Sequence, residues 1–194
     1  MTLMAAARVS APVFPLVVET SGVTLRDERA GDALARERLL DASFGAARFE
    51  KTCERLREGR MAARSLALVA KDGEALVGTL RFWHVEAGGA SALLLGPLAV
   101  AESHRDLGLG AALMRMGLDR AQALGHKAVI LVGDEPYYSR FGFARAPMRG
   151  LDLPGWYDPA RFLGLEFEPG ALARATGMVV ATGALERRRI SRAA

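Results

Sequence analysis

The sequence predicts a mixed α/β domain, with a central sheet of parallel and antiparallel strands and helices on both faces. Three observations carry that expectation. Residues 65–85 hold two apolar stretches on either side of the turn signal Asp72-Gly73, the pattern of a β-hairpin. Residues 92–132 read as strand, amphipathic helix and strand with short connections, which calls for a right-handed βαβ crossover and two parallel strands. The chain has 194 residues, 51% of them hydrophobic and 25% charged, which suits one core rather than two.

Taken in order, residues 1–20 contain Arg8, Pro12 and Pro15, which interrupt any apolar signal-like run, and they read as a disordered extension. The domain proper is expected at 21–185, and 186–194 is a basic tail opened by Glu186-Arg187-Arg188-Arg189. Residues 23–26 form a short strand. Asp32 caps a helix whose Leu34, Leu39 and Phe44 fall near one face. A second helix is expected at about 49–57, with Gly59 as its stop. The hairpin strands at 65–70 and 74–85 follow, Gly88-Gly89 ends them, and 92–100 is a strongly apolar strand.

The helix at about 108–124 places Leu109, Ala112, Leu113 and Met116 at i, i+3, i+4 and i+7 and stops at Gly125. Residues 128–132 are an all-apolar strand. A short helix at 136–141 stops at Gly142, and Phe143 starts another strand. Further on, 163–167 and 177–181 alternate like strands, with loops marked by Pro147, Pro154, Gly155 and Pro159.

Composition excludes several classes of function. No apolar stretch approaches the roughly 20 residues of a membrane-spanning helix, so a cytoplasmic protein is expected. Cys53 is the single cysteine; it permits no intrachain disulfide, fits a reducing compartment and reads as a packing residue. His84, His104 and His126 lack metal-ligand spacing, so no metal site is expected. The net charge of +4 rests mainly on arginine, because lysine occurs only as Lys51, Lys71 and Lys127. That suits a phosphate-rich ligand. No basic stripe interleaved with aromatics is present, which argues against nucleic acid.

One constellation carries chemistry. Gly108 and Gly110 stand where a strand hands over to a helix, and there the exposed N–H groups and the helix dipole make an anion site. Arg105 adds a guanidinium at its rim. A mononucleotide P-loop would need Gly-Lys-Ser/Thr, and a dinucleotide fingerprint would need Gly or Ala at Leu113. Neither is met, and Arg105-x-x-Gly108-x-Gly110-Ala111 remains.

That block resembles the cofactor motif of the GNAT superfamily of N-acetyltransferases. A second block, Tyr138-Ser139-Arg140-Phe141-Gly142-Phe143, resembles the family's Tyr-x-x-x-Gly-Phe element. The likeness covers residues 23–143, and Gly96-Pro97-Leu98-Ala99-Val100 further resembles a bacterial subgroup of N-acetyltransferases. It implies a GNAT-like sheet whose two parallel strands splay apart, with the active site in the gap. It also implies acetyl-CoA as cosubstrate. The backbone of Leu98 and Val100 would pair with the pantetheine arm, and the amides of Asp106, Leu107, Gly108, Leu109, Gly110 and Ala111, with Arg105, would hold the pyrophosphate.

Tyr138 would be the general acid, with Tyr137 a packing neighbour. The base is unassigned, with Asp134, Glu135, His84 and Glu86 as candidates and a water chain as the alternative. The acceptor would be an amine, small molecule or protein. A non-catalytic acyl-CoA-binding module is the competing reading, and a homodimer stays open. Asp106 departs from relatives that carry Gly or a basic residue, and its carboxylate is tolerable beside phosphate only if it points to solvent.

Overall fold

The computed structural model describes residues 17–20 and 22–186; the rest of the span read as an extension and the arginines of the basic tail lie outside the described residues. The chain runs β1 (Val17–Thr20), β2 (Val23–Asp27), α1 (Ala33–Phe44), α2 (Thr52–Arg55), β3 (Ala67–Asp72), β4 (Ala75–Ala87) and β5 (Ala90–Val100). It continues through α3 (Leu109–Ala123), β6 (Ala128–Val132), α4 (Glu135–Tyr138), β7 (Leu151–Asp152), β8 (Phe162–Glu166) and β9 (Gly177–Ala181). The sheet order is β1-β2-β3-β4-β5-β6-β8, antiparallel throughout except for the parallel pair β5–β6. β9 adds to the far end of β4, at Val85 to Ala87, and pairs in parallel with β7.

Alternation along the strands sorts the core into two layers. Leu80 and Phe82 of β4, Leu93 and Leu95 of β5, and Val129 and Leu131 of β6 pack against Leu109, Leu113, Met114 and Leu118 of α3. On the other face, Trp83, Val85, Leu94 and Ile130 meet Leu56 and the later residues Met148, Leu151, Leu153 and Leu172. β5 carries one extra residue: Leu80 faces Leu98 while Phe82 faces Leu95, so the irregularity falls at Gly96-Pro97. Beyond it the faces exchange. Leu98 and Val100 now lean toward the α3 layer, and Ala99 packs with Leu39 and Leu40 of α1.

Ion pairs fasten α1 to the sheet. The buried carboxylate of Glu28 accepts from Arg81 Nε at 2.7 Å and also from Arg36 of α1. Asp27 pairs with Arg120 of α3. Buried charges of this kind are costly to leave unpartnered, so each carboxylate constrains where its helix can sit.

Four local expectations need correction. Asp32 does not cap α1 through its side chain; its carboxylate accepts from Arg26 at 2.7 and 2.9 Å and from the Arg29 amide at 2.7 Å. Those bonds, against the opposing effect of burial, hold it down to about 2. The buried face of α1 is Arg36, Leu39 and Leu40, while Leu34 is 64% exposed, because the helix meets the sheet through ion pairs as much as through apolar contact. The second helix is broken. A 3-10 turn at Ala46–Glu50 is separated from α2 by Lys51, whose ψ of 139° is extended. Phe143 starts no strand, since only Ala144 bridges, to Gly164.

Gly117 shows how closely α3 lies on the sheet. A Cβ there would stand 2.6 Å from Phe82 Cε2 and 3.1 Å from Leu80 Cδ2. On an exposed helix, Gly→Ala stabilises by about 1 kcal/mol. Here the buried ring should reverse the sign, and Gly117→Ala is expected to lose roughly 1–3 kcal/mol in urea unfolding. Combined with Phe82→Leu, the loss should be smaller than the two single losses added. An unchanged or raised midpoint for Gly117→Ala would show that the helix is free to shift.

Candidate active site

β5 and β6 pair only at Leu93–Val129 and Leu94–Ile130, and then they part. Each strand keeps its other partner, β5 with β4 as far as Val100 and β6 with β8 from Ala128 to Val132, so beyond this point the two facing edges are both unpaired. The Ala101 amide donates to Val77 O at 2.8 Å. By the alternation of antiparallel pairing, the polar groups of Leu98 and Val100 then point to the unpaired side. Below the split lies a cavity of about 1050 Å³, lined by Leu95 to Leu98 of β5, Leu131 to Asp134 after β6, residues of α1 and α2, and the 156–158 segment.

The loop that follows β5 takes the form expected of an anion site. Asp106 and Gly108 both have left-handed φ, 66° and 75°, and Gly108 is the N-cap of the 15-residue α3. Among the described residues, none of the amides from Asp106 to Ala111 donates to a protein acceptor; the first intrahelical bond is Ala112 N–H to Gly108 O, at 3.0 Å. Arg105 lines the cavity. Asp106 and Leu107 are exposed and outside it, Leu109 is buried in the core, and Ala111 is half-buried. The left-handed φ accounts for Asp106, because Asp and Asn tolerate this region better than other side chains.

Both tyrosines after β6 line the cavity, but differently. The Tyr137 hydroxyl reaches α3, 2.9 Å from where a Cβ on Gly110 would stand. Tyr138 is the deeper of the two, edge-on to Tyr137 and Phe143 with ring centroids 4.9 and 6.0 Å apart. Burial, followed by its neighbours Tyr137 and Asp134, pushes its phenol up to about 12, with Arg161 opposing. At neutral pH it is a protonated donor.

Of the candidate bases, Asp134 lines the cavity and pairs with Arg161 at 3.3 Å. Glu135 does not line it. His84 lies on the far half of β4 beside His126, ring centroids 5.4 Å apart, and Glu86 is exposed opposite Val180 of β9. Cys53 does line the cavity, and burial raises its thiol, as befits an inert packing residue. Among the described residues, no cluster of three or more His, Cys, Asp or Glu could hold a metal ion, and no helix is long and apolar enough to cross a membrane.

Sequence reasoning missed the opposite wall, where Arg48, Glu54, Arg57, Trp156, Tyr157 and Arg161 face the cavity. No spacing rule marks them. The Glu54–Arg57 pair sits at i, i+3, a spacing common on any solvated helix.

The chain belongs to the acetyltransferase (GNAT) family, whose pattern matches residues 33–143. It is 38% identical over 130 residues to the uncharacterized N-acetyltransferase YhbS of Escherichia coli (strain K12), covering 66% of this chain and 77% of that one. The crystal structure of Escherichia coli YhbS in complex with CoA superposes with a TM-score of 0.69 at 32% identity, over 88% of this chain and 93% of that one. A GNAT family acetyltransferase from Brucella melitensis, in complex with acetyl-CoA, gives 0.63 at 28% identity, over 82% and 96%.

Gly133 fixes the depth of Tyr138, because a Cβ at this position would overlap the tyrosine ring. Gly133→Ala should therefore displace Tyr138 into the cavity. Nitration by tetranitromethane, read by mass spectrometry, is expected to rise at Tyr138 relative to Tyr157. An unchanged pattern in a folded variant would mean that the ring is not held by this contact.

Proposed function

We propose that this acetyltransferase carries the acetyl group of acetyl-CoA directly to an amine in a ternary complex, with Tyr138 as the general acid. The observation that carries the reading is the continuity of one polar track: the unpaired edge of β5 leads straight into the six unpartnered amides that open α3. An extended pantetheine arm matches the edge as an added strand would, through Leu98 and Val100. A pyrophosphate matches the amides and the positive end of the helix dipole, with Arg105 at the rim.

Acetyl-CoA supplies an acyl group already activated as a thioester. The neutral amine attacks the carbonyl carbon, a backbone N–H near Val100 meets the resulting oxyanion, and the carbon–sulfur bond breaks. The departing thiolate takes the Tyr138 proton, and the proton shed by the amine passes to water or Asp134 and returns through solvent to restore the Tyr138 hydroxyl. Burial keeps the Tyr138 phenol protonated across the neutral range, so a hydrogen bond from it to the departing sulfur is available there. No protein nucleophile takes part.

Two measurements test this. Acetyl-CoA at ~100 times its dissociation constant should stabilise the fold by roughly 2.7 kcal/mol. Gly108→Val places a β-branched residue at a φ of 75° and should remove that gain. A folded variant that keeps it would take the loop out of the cofactor site. Tyr138→Phe should slow single-turnover acetyl transfer by ~10² to 10⁴-fold while acetyl-CoA affinity barely moves. Tyr137→Phe, beside Gly110, should instead weaken acetyl-CoA binding with little effect on that step. A Tyr138→Phe protein with the wild-type single-turnover rate would remove Tyr138 from the general-acid role, and a wild-type protein that binds acetyl-CoA but transfers nothing would favour a non-catalytic acyl-CoA-binding module.

A further inference from the structure

We infer that Arg57 binds a carboxylate of the acceptor, so that the substrate is a small amine carrying a carboxylate close to its nitrogen. The inference rests on the acetyl-transfer reading and adds the acceptor class to it. Arg57 follows α2, its side chain is only 10% exposed, and it lines the cavity. One terminal nitrogen, Nη2, donates to Glu54 Oε2 at 2.7 Å. The other, Nη1, has no hydrogen-bond partner among the described residues and lies 3.6 Å from where a Cβ on Gly96 would stand. Nε is buried and unpartnered as well.

Gly96 places this guanidinium in the molecule. It lies two residues past the last β5–β6 pair, so Arg57 sits where the two strands part. It reaches that point from the face of the sheet opposite α3, the face on which Leu56 packs with Trp83 and Leu94. The amide loop and Arg105 occupy the other end of the track, so a phosphate already has its partners there. What approaches from the side of α2 is the acceptor.

A guanidinium cannot take the proton of an attacking amine, because it is always charged. It can bind an anion through a planar fork of donors, and a carboxylate is the anion that fits such a fork with two parallel bonds. A nearly buried charge with one partner and spare donors is an incomplete arrangement, and a carboxylate completes it. Basic side chains also outnumber acidic ones among the cavity-lining residues, which disfavours polyamines and lysine-rich tails. Since Arg57 adjoins the strand edge itself, the amine and the carboxylate it anchors must be separated by few bonds.

The test uses the full-length protein with acetyl-CoA and a panel of α-amino acids, each beside its carboxamide and the amine lacking the carboxyl group. Specificity, kcat/KM, is corrected for the fraction of neutral amine. At least one amino acid should exceed both analogues by ~10-fold or more. In Arg57→Gln that preference should collapse to within about twofold through a rise in KM, with the acetyl-CoA thermal shift retained as evidence of a folded site. Arg57→Lys, which keeps the charge but not the fork, should recover part of it, and it serves in place of Arg57→Gln if that variant does not fold. Turnover of amides and bare amines as fast as amino acids, or a preference that survives the loss of Arg57, would overturn the acceptor class and leave acetyl transfer standing. If acetyl-CoA binds and no amine in the panel is acetylated, both readings fall.

Discussion

The molecule depends on one strand pairing that stops after two residue pairs. β5 has an extra residue at Gly96-Pro97, just past the last pair with β6, and Pro97 has no N–H to offer. The edge beyond this point keeps its backbone donors and acceptors without a strand to receive them. An open edge of that kind inside a fold is costly, at about 1–3 kcal/mol for each buried group left unsatisfied, and on a surface it invites pairing with other chains. Here α1, α2 and the 156–158 segment stand over it and turn the edge into the wall of a cavity. The same extra residue exchanges the faces of β5, which lets Ala99 receive Leu39 and Leu40 of α1 while Leu98 remains with the α3 layer. Cavity and roof thus share one origin.

The two walls of that cavity are made of different material. Toward α3 the exposed polar groups are backbone amides, the ones proposed to hold the cofactor, positioned by two left-handed residues and a helix start. Backbone donors need no particular side chains, only glycines or tolerant residues at the turns, which is why Asp106 can stand in the loop with its carboxylate exposed. Toward α2 the groups are side chains, held by charge: Arg48 pairs with Glu37 at 2.5 Å and Asp41 at 2.9 Å, and Arg57 with Glu54. Coulombic attraction fixes these guanidiniums without prescribing any spacing in the chain.

That contrast explains what was legible in the sequence. The sheet strands, α3 and the parallel crossover were readable because period-2 and period-3.6 patterns follow directly from burial on a flat or helical face. The turn into α3 was readable because a left-handed N-cap demands a residue such as Gly108, and that is where the helix starts. α1 misled, since Leu34 and Phe44 suggest an apolar stripe while the helix is seated by Arg36 in a pair with Glu28, and ion pairs leave no periodic trace. The break at Lys51 was hidden because the apolar residues on either side continue a helical rhythm that the backbone does not follow. Phe143 was taken for a strand because a buried aromatic after a glycine stop looks the same whether it enters a sheet or, as here, packs beside Tyr138. Arg57 and Trp156 gave no signal at all, being ordinary residues that become neighbours only through the fold.

The side-chain wall is nevertheless a single unit. The Thr52 hydroxyl donates to Trp156 O, Arg55 Nη1 donates to Pro154 O at 3.2 Å, and a Cβ on Gly155 would come within 3.0 Å of Thr52 Oγ1. α2 and a loop about a hundred residues further on are therefore locked together, with Trp156 left 88% exposed at the rim. A change of acceptor cannot be made on one segment alone, because moving either one strains the contact with the other. The backbone wall is coupled to the rest of the site more narrowly, through Tyr137, whose hydroxyl lies 2.9 Å from where a Cβ on Gly110 would stand. Under the proposed assignment, one cofactor grip can stay unchanged while the acceptor wall is rebuilt in concerted pairs of substitutions, and the residues that decide the substrate are then the ones that local sequence pattern does not reveal.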